Sequence, residues 1–364
     1  GTYFKLPNNN VIINGNLVID KGNLIPNTSG KTISLNGDFI LNPLGSYSVS
    51  SRSNYFKFVG DRAQKIEINK SNYAFWEGFG DIIVQKTSGE LTIINGSYQI
   101  ENEMQLISGI VNTGSTNTFD LSNSAIVSGG SSSSYINGPL KKSLNSSTDF
   151  TFPIGKGGYY RPLEVQNPAQ TGDWTAEYFP NNSISDMGTG LSQVSPDDRW
   201  VVTSDNYSGT QTAEIKLTWG TETNVSADPA DYADLRVAYL DGGQWTDAGN
   251  SDYSGTQSSG YVISDAVGFS TKEFTIASSS NDNPLPVSLI GFDATVVNNK
   301  VKITWQTLNE LNNDYFEVER SRDGVVFETV GRVAGAGNSS SVLNYSLMDA
   351  NPHYGISYYR LRQV

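Results

Sequence analysis

The chain has 364 residues, of which 37% are hydrophobic, so it can bury more than one core, and two or three domains are expected. Its net charge of −13 disfavours binding to nucleic acids and to anionic lipid surfaces. The absence of cysteine excludes disulfides, thiolate metal sites and a cysteine nucleophile. The single histidine, His353, leaves one residue for any histidine-based catalysis or zinc binding.

Gly1 is followed directly by polar and aromatic residues, without the basic start and apolar stretch of a signal peptide. No apolar run reaches the length of a membrane span. The chain is therefore expected to be a mature form or a fragment, without a transmembrane segment.

Residues 1–133 are predicted to form a β-solenoid. Short segments between residues 11 and 128 alternate apolar and polar side chains, the period of a half-buried strand. Asn-Gly pairs follow several of them, and the pattern of residues 14–19 recurs at residues 36–41. Tight hairpins would explain the Asn-Gly pairs locally. Repeats of about 20 residues that stack as rungs explain the recurrence as well, and we favour them.

Two features interrupt this pattern. An aromatic cluster is expected to be a local core or cap rather than a ligand platform; its members are Tyr55, Phe56, Phe58, Phe75, Trp76 and Phe79. The polar stretch 129–134 is expected to be a linker or an outward loop.

Residues 134–280 are predicted to form a β-sandwich, because alternating strands such as 160–165, 213–219 and 272–277 are joined by turn-rich connections. The polar break at residues 278–284 is the clearest domain boundary. Beyond it, residues 281–364 contain an aliphatic strand with Trp305 and further alternating strands, the outline of a fibronectin type III-like sandwich.

The last 80 or so residues resemble a module found in many Bacteroidota proteins that the type IX secretion system exports. The pieces that carry the resemblance are Leu285-Pro286-Val287, Thr304-Trp305-Gln306-Thr307, Glu310, Asn312-Asn313, Phe316-Glu317-Val318-Glu319-Arg320-Ser321, Asp323-Gly324, Gly335 to Asn338, Asp349, Pro352, Gly355 and Tyr358-Tyr359-Arg360-Leu361. The middle region is similar to the same proteins at residues 135–140, 152–155 and 160–163.

The resemblance implies a secreted, cell-surface protein whose fibronectin-like module precedes a C-terminal sorting domain. It also implies that the module ending at Val364 lacks its last strand here, and that the native chain continues. The implied partners are the type IX translocon during export and, at the surface, glycans or other surface proteins. Self-assembly through a donated strand is a further expectation.

Catalysis is not expected. The carboxylate pairs Asp197/Asp198 and Glu317/Glu319 are the available acid–base material, but no cleft or motif accompanies them. A β-helix lyase or hydrolase would need a charged cluster on one solenoid face, and the sequence does not indicate one. No cofactor is expected.

Two binding hypotheses remain open. Asp228, Asp231 and Asp234 offer oxygens to calcium, although they lack the Asp-x-Asp-x-Asp-Gly loop, and an acidic loop with Asp228 capping a turn is the alternative. Trp245 follows a Gly-Gly turn and is the best surface residue for stacking on a sugar, with a buried corner tryptophan as the alternative. The sequence thus predicts an extracellular structural or adhesive segment, with a carbohydrate-binding module as the second possibility.

Overall fold

The computed structural model describes residues 3–6, 9–25, 30–47, 55–69, 79–205, 210–223, 225–280, 283, 289–307, 310–324, 326–339 and 342–364. It is all-β, with 63% strand and 3% helix, which confirms the predicted class. The helical residues among those described form two 3₁₀ helices, η1 (Thr221–Thr223) and η2 (Pro229–Asp234). Within the described residues, no helix has the length and hydrophobicity that crossing a membrane requires.

The N-terminal strands stack as rungs of a solenoid. They are β1 (Tyr3–Lys5), β2 (Val11–Ile13), β3 (Leu17–Ile25), β4 (Thr32–Leu35), β5 (Phe39–Tyr47), β6 (Tyr55–Gly60), β7 (Gln64–Ile68), β8 (Phe79–Lys86), β9 (Leu91–Ile94), β10 (Tyr98–Ser108), β11 (Val111–Asn112), β12 (Phe119–Leu121), β13 (Ile126–Gly129), β14 (Ile136–Asn137) and β15 (Leu140–Leu144). One sheet has the order β1-β3-β5-β7-β9-β11-β14. The other begins β2-β4-β6-β8-β10-β12-β15, with β13 also beside β10. Each rung contributes to both sheets, and all these pairings are parallel.

The Asn-Gly pairs lie at the corners between the two sheets, so the hairpin interpretation of them is wrong. Asn36 Nδ2 donates to Asn14 Oδ1 at 2.9 Å, across 22 residues of sequence. A second ladder at another corner joins Asn69 to Asn42 and Asn95 to Asn69. These side-chain ladders hold successive corners in register, because each amide can donate to one rung and accept from the next.

Aromatic side chains fill the interior of the solenoid. Phe39, Phe56 and Phe79 lie with ring centroids 5.2 to 5.4 Å apart in edge-on arrangements, which aromatic pairs prefer. Phe58 is also fully buried. The expectation of a local core is therefore confirmed for Phe56, Phe58 and Phe79. Tyr55 is only half-buried, and Phe75 and Trp76 lie outside the described residues.

The strands of the middle region form two facing sheets. They are β16 (Phe150–Phe152), β17 (Gly155–Lys156), β18 (Tyr159–Tyr160), β19 (Leu163–Gln166), β20 (Gly172–Phe179), β21 (Gln193–Val194), β22 (Arg199–Asp205), β23 (Thr212–Gly220), β24 (Leu235–Asp241), β25 (Gln244–Asp247), β26 (Asp252–Thr256), β27 (Ser259–Ile263), β28 (Val267–Gly268) and β29 (Thr271–Ser278). One sheet has the order β16-β19-β23-β27-β26. The other, β15-β20-β22-β29-β24-β25, continues the second solenoid sheet into antiparallel pairing.

The solenoid and the sandwich share strand β15. It pairs in parallel with β12 and antiparallel with β20, and one hydrophobic core extends from Leu6 to Ile276. The predicted boundary at residue 133 therefore falls inside the last rung. Residues 131 and 134 close a tight hydrogen-bonded turn at a solenoid corner, so this stretch is an outward loop rather than a linker.

The C-terminal strands form two three-stranded sheets around a separate small core. They are β30 (Leu289–Val297), β31 (Lys300–Thr307), β32 (Glu310–Ser321), β33 (Glu328–Ser339), β34 (Leu343–Asp349) and β35 (Tyr358–Gln363). The sheet orders are β30-β31-β34 and β33-β32-β35. The buried core residues are Val301, Ile303, Trp305, Phe316 and Val318. Residues 281, 282 and 284–288, which include Leu285-Pro286-Val287, lie outside the described part of the chain.

Candidate functional site

The three middle segments that carry the family resemblance meet where the solenoid joins the sandwich. The backbone N–H of Ile136, in the last rung, donates to the Pro153 carbonyl at 3.0 Å. The N–H of Arg161 donates to the Ile154 carbonyl at 3.0 Å, and Trp200 Nε1 donates to the Arg161 carbonyl at 3.0 Å. Residues from 135–140, 152–155 and 160–163 therefore form one structural element, which we call the joint.

A buried ionic network lies on the sandwich side of the joint. Arg161 Nε donates to Asp198 Oδ1 at 3.2 Å, and one terminal nitrogen of Arg161 donates to Glu222 Oε2 at 2.7 Å. Tyr178 OH donates to Asp198 Oδ1 at 2.8 Å, and Thr223 Oγ1 donates to Asp198 Oδ2 at 2.7 Å. The short helix η1, which follows β23 directly, supplies both Glu222 and Thr223. Asp198 is thus compensated at both oxygens.

Close packing of small and aromatic residues completes the joint. A Cβ on Gly155 would overlap the Tyr159 carbonyl and the Tyr135 ring, so only glycine fits there. The N–H of Gly158 donates to Tyr135 OH at 3.0 Å. The tyrosine therefore holds the turn between β17 and β18 against the last rung.

Of the carboxylate pair Asp197/Asp198, Asp198 belongs to this network through its side chain, and Asp197 contributes its backbone carbonyl, which accepts from Tyr178 OH at 3.5 Å. Asp198 accepts three side-chain hydrogen bonds, two at Oδ1 and one at Oδ2, so most of its acceptor capacity is used within the fold. Burial raises the pKa of Asp197 to about 6, and the neighbouring Asp198 carboxylate adds to the rise. The geometry is that of a structural ionic cluster that fixes β20, β22 and η1 relative to one another.

Trp245 does not offer a surface for a sugar, which corrects the placement of this residue on an exposed turn. It is the second residue of β25 and is fully buried, with Nε1 donating to the Ile184 carbonyl at 2.8 Å. Met187 and Leu191 pack against the same small cluster. Gly242 and Gly243, which have positive φ, form the turn itself, so the tryptophan falls on the inward face of the strand. The alternative, a buried corner tryptophan, is the one found.

Asp228, Asp231 and Asp234 do not converge on a calcium site. Asp228 caps η2 by accepting from the Ala230 N–H at 2.9 Å, and Asp231 accepts from Ser226 Oγ at 2.5 Å. The Asp234 carbonyl accepts from the Ser279 N–H at 2.9 Å. In the part of the chain that the structure describes, no group of three His, Cys, Asp or Glu side chains is arranged to hold a metal ion. The alternative reading, Asp228 capping a turn, agrees with this geometry.

Glu317 and Glu319 share a face of β32, because strand residues two apart point to the same side, and arginine side chains cover that face. Arg332 and Arg362 lie over Glu317 at 2.9 and 3.6 Å, and Arg360 lies over Glu319 at 2.5 Å. The hydrogen bond from Arg332 holds the pKa of Glu317 below its usual range.

His353 lies in the loop between β34 and β35. Its Nδ1 accepts from Arg322 Nε at 3.1 Å, and its side chain is only 12% exposed. It therefore packs against the β32–β33 turn through Arg322 and Glu328.

Sequence reasoning missed Arg161 as the centre of the joint. Its partners lie 37 and 61 residues further along the chain, so no local spacing joins them. The available signal was an arginine inside an otherwise apolar and aromatic stretch, because a buried charge requires a partner. Comparison of the chain with protein-family models, with curated proteins and with solved structures finds no match.

Proposed function

We propose that this chain is a non-enzymatic segment of an extracellular surface protein, exported by the type IX route, that acts as a stiff spacer in an adhesive stalk. The observation that carries the proposal is the shared strand β15, with parallel pairing on one side and antiparallel pairing on the other. A solenoid whose sheet and core continue into a sandwich has no flexible linker at the joint, and stiffness is what a spacer requires.

The ionic pairs of the chain support a structural role. Asp198 is held by Arg161, Glu317 by Arg332 and Glu319 by Arg360, so at least one carboxylate of each pair considered for acid–base chemistry forms an ion pair within the fold. The proposal of a non-enzymatic protein rests on this engagement.

A fibronectin-like identity for residues 289–364 is part of the proposal. Its support is the strand order, in which the first, second and fifth strands form one sheet and the third, fourth and sixth form the other. Trp305 lies fully buried between the sheets and stacks on Tyr345 at a centroid distance of 5.6 Å. Two sheets around a tryptophan-centred core are typical of such sandwiches.

The spacer function is tested in the source cell by removing residues 9–69 in frame, a segment that spans β2 to β7 and leaves β15 and the joint intact. We expect surface display to persist and cell adhesion to fall at least severalfold. The matched control is Gly15→Ala, at a position where a Cβ meets nothing within 4 Å, and it should leave adhesion unchanged. Undiminished adhesion by cells that display the shortened protein would refute the spacer role.

The export route is tested separately by deleting the type IX outer-membrane translocon. Arrival of the protein at the surface in normal amount would contradict that part of the proposal. Retention of the purified chain on a defined polysaccharide, in a panel of plant, algal and bacterial glycans, would favour the carbohydrate-binding alternative instead.

A further inference from the structure

Strand β26 forms an unpaired edge of the sandwich. It ends the sheet β16-β19-β23-β27-β26, and all of its residues, Asp252 to Thr256, are exposed. It pairs with β27 on one side, and the described residues place no strand on its other side. The strand contains no lysine or proline and its register with β27 has no shift, so it lacks the usual features that protect an edge from further pairing.

The facing sheet of the sandwich ends at an edge that the chain itself covers. At β25 the N–H of Gly188 donates to the Trp245 carbonyl at 2.7 Å, and the N–H of Trp245 donates to the Asp186 carbonyl at 2.8 Å. Gln244 Nε2 also donates to the Met187 carbonyl at 3.0 Å. The irregular segment 186–188 thus occupies the outer edge of β25, whereas no described segment does the same for β26.

The β26–β27 hairpin determines which backbone groups of β26 point to the free edge. Thr256 is in register with Ser259 across the two-residue turn 257–258, and the pair that closes such a hairpin is hydrogen-bonded. Pairs along an antiparallel ladder alternate between hydrogen-bonded and non-hydrogen-bonded. Tyr253 and Gly255 therefore direct their N–H and C=O groups away from β27 and towards solvent.

Tyr253 and Gly255 also lie on the same face of the sheet, because they are two residues apart in one strand. Tyr253 is in register with the buried Val262, so its ring lies on the inner face, yet the residue is 38% exposed. Gly255 has no side chain to cover its backbone, and the Trp219 indole lies close by, since a Cβ on Gly255 would be 2.9 Å from Trp219 Cζ2. An aromatic ring from a neighbouring strand can cover such a glycine at a sheet edge.

We infer that β26 pairs in antiparallel fashion with β26 of a second copy of this chain, about a twofold axis that passes through Ser254. In this register Tyr253 of each copy lies opposite Gly255 of the other, so the outward backbone groups of both residues form hydrogen bonds and each ring covers a glycine. Asp252 lies opposite Thr256, so the two Asp252 carboxylates do not form a like-charge pair across the contact. A twofold contact requires a surface that is complementary to itself, and β26 meets that requirement.

The charge of the chain determines how this pairing responds to salt. Each copy has a net charge of −13, so two copies repel each other and added salt screens the repulsion. Backbone hydrogen bonds between the strands do not depend on opposite charges, so association strengthens as salt is added. Because only short strands pair, the interface is small and the dimer is reversible. It joins two spacers side by side through one continuous sheet, which goes beyond the proposed function.

The test exploits the absence of cysteine from the full chain. Ser254→Cys places two thiols opposite each other at a non-hydrogen-bonded pair, where Cα atoms are about 4.5 Å apart, a separation that a disulfide spans. Ser258→Cys, in the exposed turn of the same hairpin, is the matched control. With copper–phenanthroline as oxidant, we expect Ser254→Cys to form a covalent dimer at least tenfold faster than Ser258→Cys at the same protein concentration.

Two further measurements test the edge and the register. Adding Tyr253→Lys to Ser254→Cys should reduce the cross-linking rate to that of the control, because it removes the ring and places a charged side chain on the edge, while the thermal midpoint shows that the variant is folded. Sedimentation of the unsubstituted chain should show a dimer whose fraction rises with protein and salt concentration.

Three outcomes would overturn the inference. The first is cross-linking of Ser254→Cys no faster than that of Ser258→Cys. The second is cross-linking that Tyr253→Lys leaves unchanged, because the ring would then have no part in the contact. The third is a dimer that added salt dissociates, since opposite charges on another surface would then hold it. None of these outcomes depends on export or adhesion, so the spacer function stands or falls separately.

Discussion

The solenoid–sandwich unit and the C-terminal module bury their hydrophobic cores in different ways. In the first, stacked rungs bury aliphatic and aromatic side chains along one core from Leu6 to Ile276. In the second, the described core has five buried hydrophobic residues, and the surrounding Phe292, Tyr359 and Leu361 are only half-buried. A repeating architecture adds core with each rung, whereas a small sandwich has more surface for each buried residue.

The two regions also differ in how their structure shifts the pKa values of several carboxyl groups. In the solenoid–sandwich unit, burial raises the pKa of Asp81 and of Asp197 to about 6. In the C-terminal module, side-chain hydrogen bonds hold the pKa of Glu317 and of Glu328 below their usual range, from Arg332 and Arg320 respectively. At neutral pH Asp81 and Asp197 thus weaken the first unit, whereas Glu317 and Glu328 strengthen the second. In the first unit the hydrogen bond from Lys65 likewise holds the pKa of Glu67 below its usual range.

The largest loss of stability that affects one region and spares the other is expected for Arg161→Ala. The substitution leaves Asp198 buried without its cation, and breaking a buried pair costs about 3–5 kcal/mol. Chemical denaturation followed by tryptophan fluorescence should show this loss in the solenoid–sandwich transition, while the C-terminal module unfolds as before. Arg199→Ala, which removes a partly exposed pair with Glu273, is the control and should cost about 1 kcal/mol or less. Equal losses for the two variants would mean that the joint network is not stabilising.

A smaller difference in stability is expected between alanine substitutions of two stacked glycines in the solenoid. In Gly37→Ala the added methyl group overlaps the Gly15 carbonyl, and overpacking of this kind costs about 1–3 kcal/mol. Gly15→Ala, at the equivalent corner of the first rung, has open space and should change the free energy of unfolding by less than about 0.5 kcal/mol. Thermal unfolding of the two variants makes the comparison, and the reverse order of stability would show that the rungs do not stack in this register.

The smallest expected difference between the two regions is in how their stability depends on pH. A carboxyl whose folded pKa is raised stabilises the protein when protonated, so its contribution is lost as pH rises from about 4 to about 6. A carboxyl whose folded pKa is lowered stabilises the protein above its unfolded pKa of 4.5, and its contribution is lost as pH falls below that value. Calorimetry from pH 7 to pH 5 should therefore raise the midpoint of the solenoid–sandwich unit and leave that of the C-terminal module nearly constant. Asp81→Asn should reduce the rise, and a midpoint that falls in both regions would contradict the assignment.

Much of the fold could be predicted because it depends on patterns among residues that are close together in the sequence. Alternation at period two marks strands such as 32–35, and the recurrence of residues 14–19 at 36–41 indicates stacked rungs. The joint could not be predicted, because it depends on contacts between residues far apart in sequence, such as Arg161 with Asp198 and Glu222. Trp245 was misplaced for the same reason, since its cover comes from the irregular segment around Ile184 and Met187.

The shared strand β15 also determines how a pulling force would pass through the molecule. A load applied between the rungs and the sandwich reaches both edges of this strand, because β12 holds one edge and β20 the other. Separation there requires several backbone hydrogen bonds to break together, along with the ionic cluster around Arg161. Because the sheet is continuous through β15, the solenoid and the sandwich cannot bend relative to each other at a hinge here. An object attached to the far side of the sandwich would therefore keep its orientation relative to the axis of the rungs.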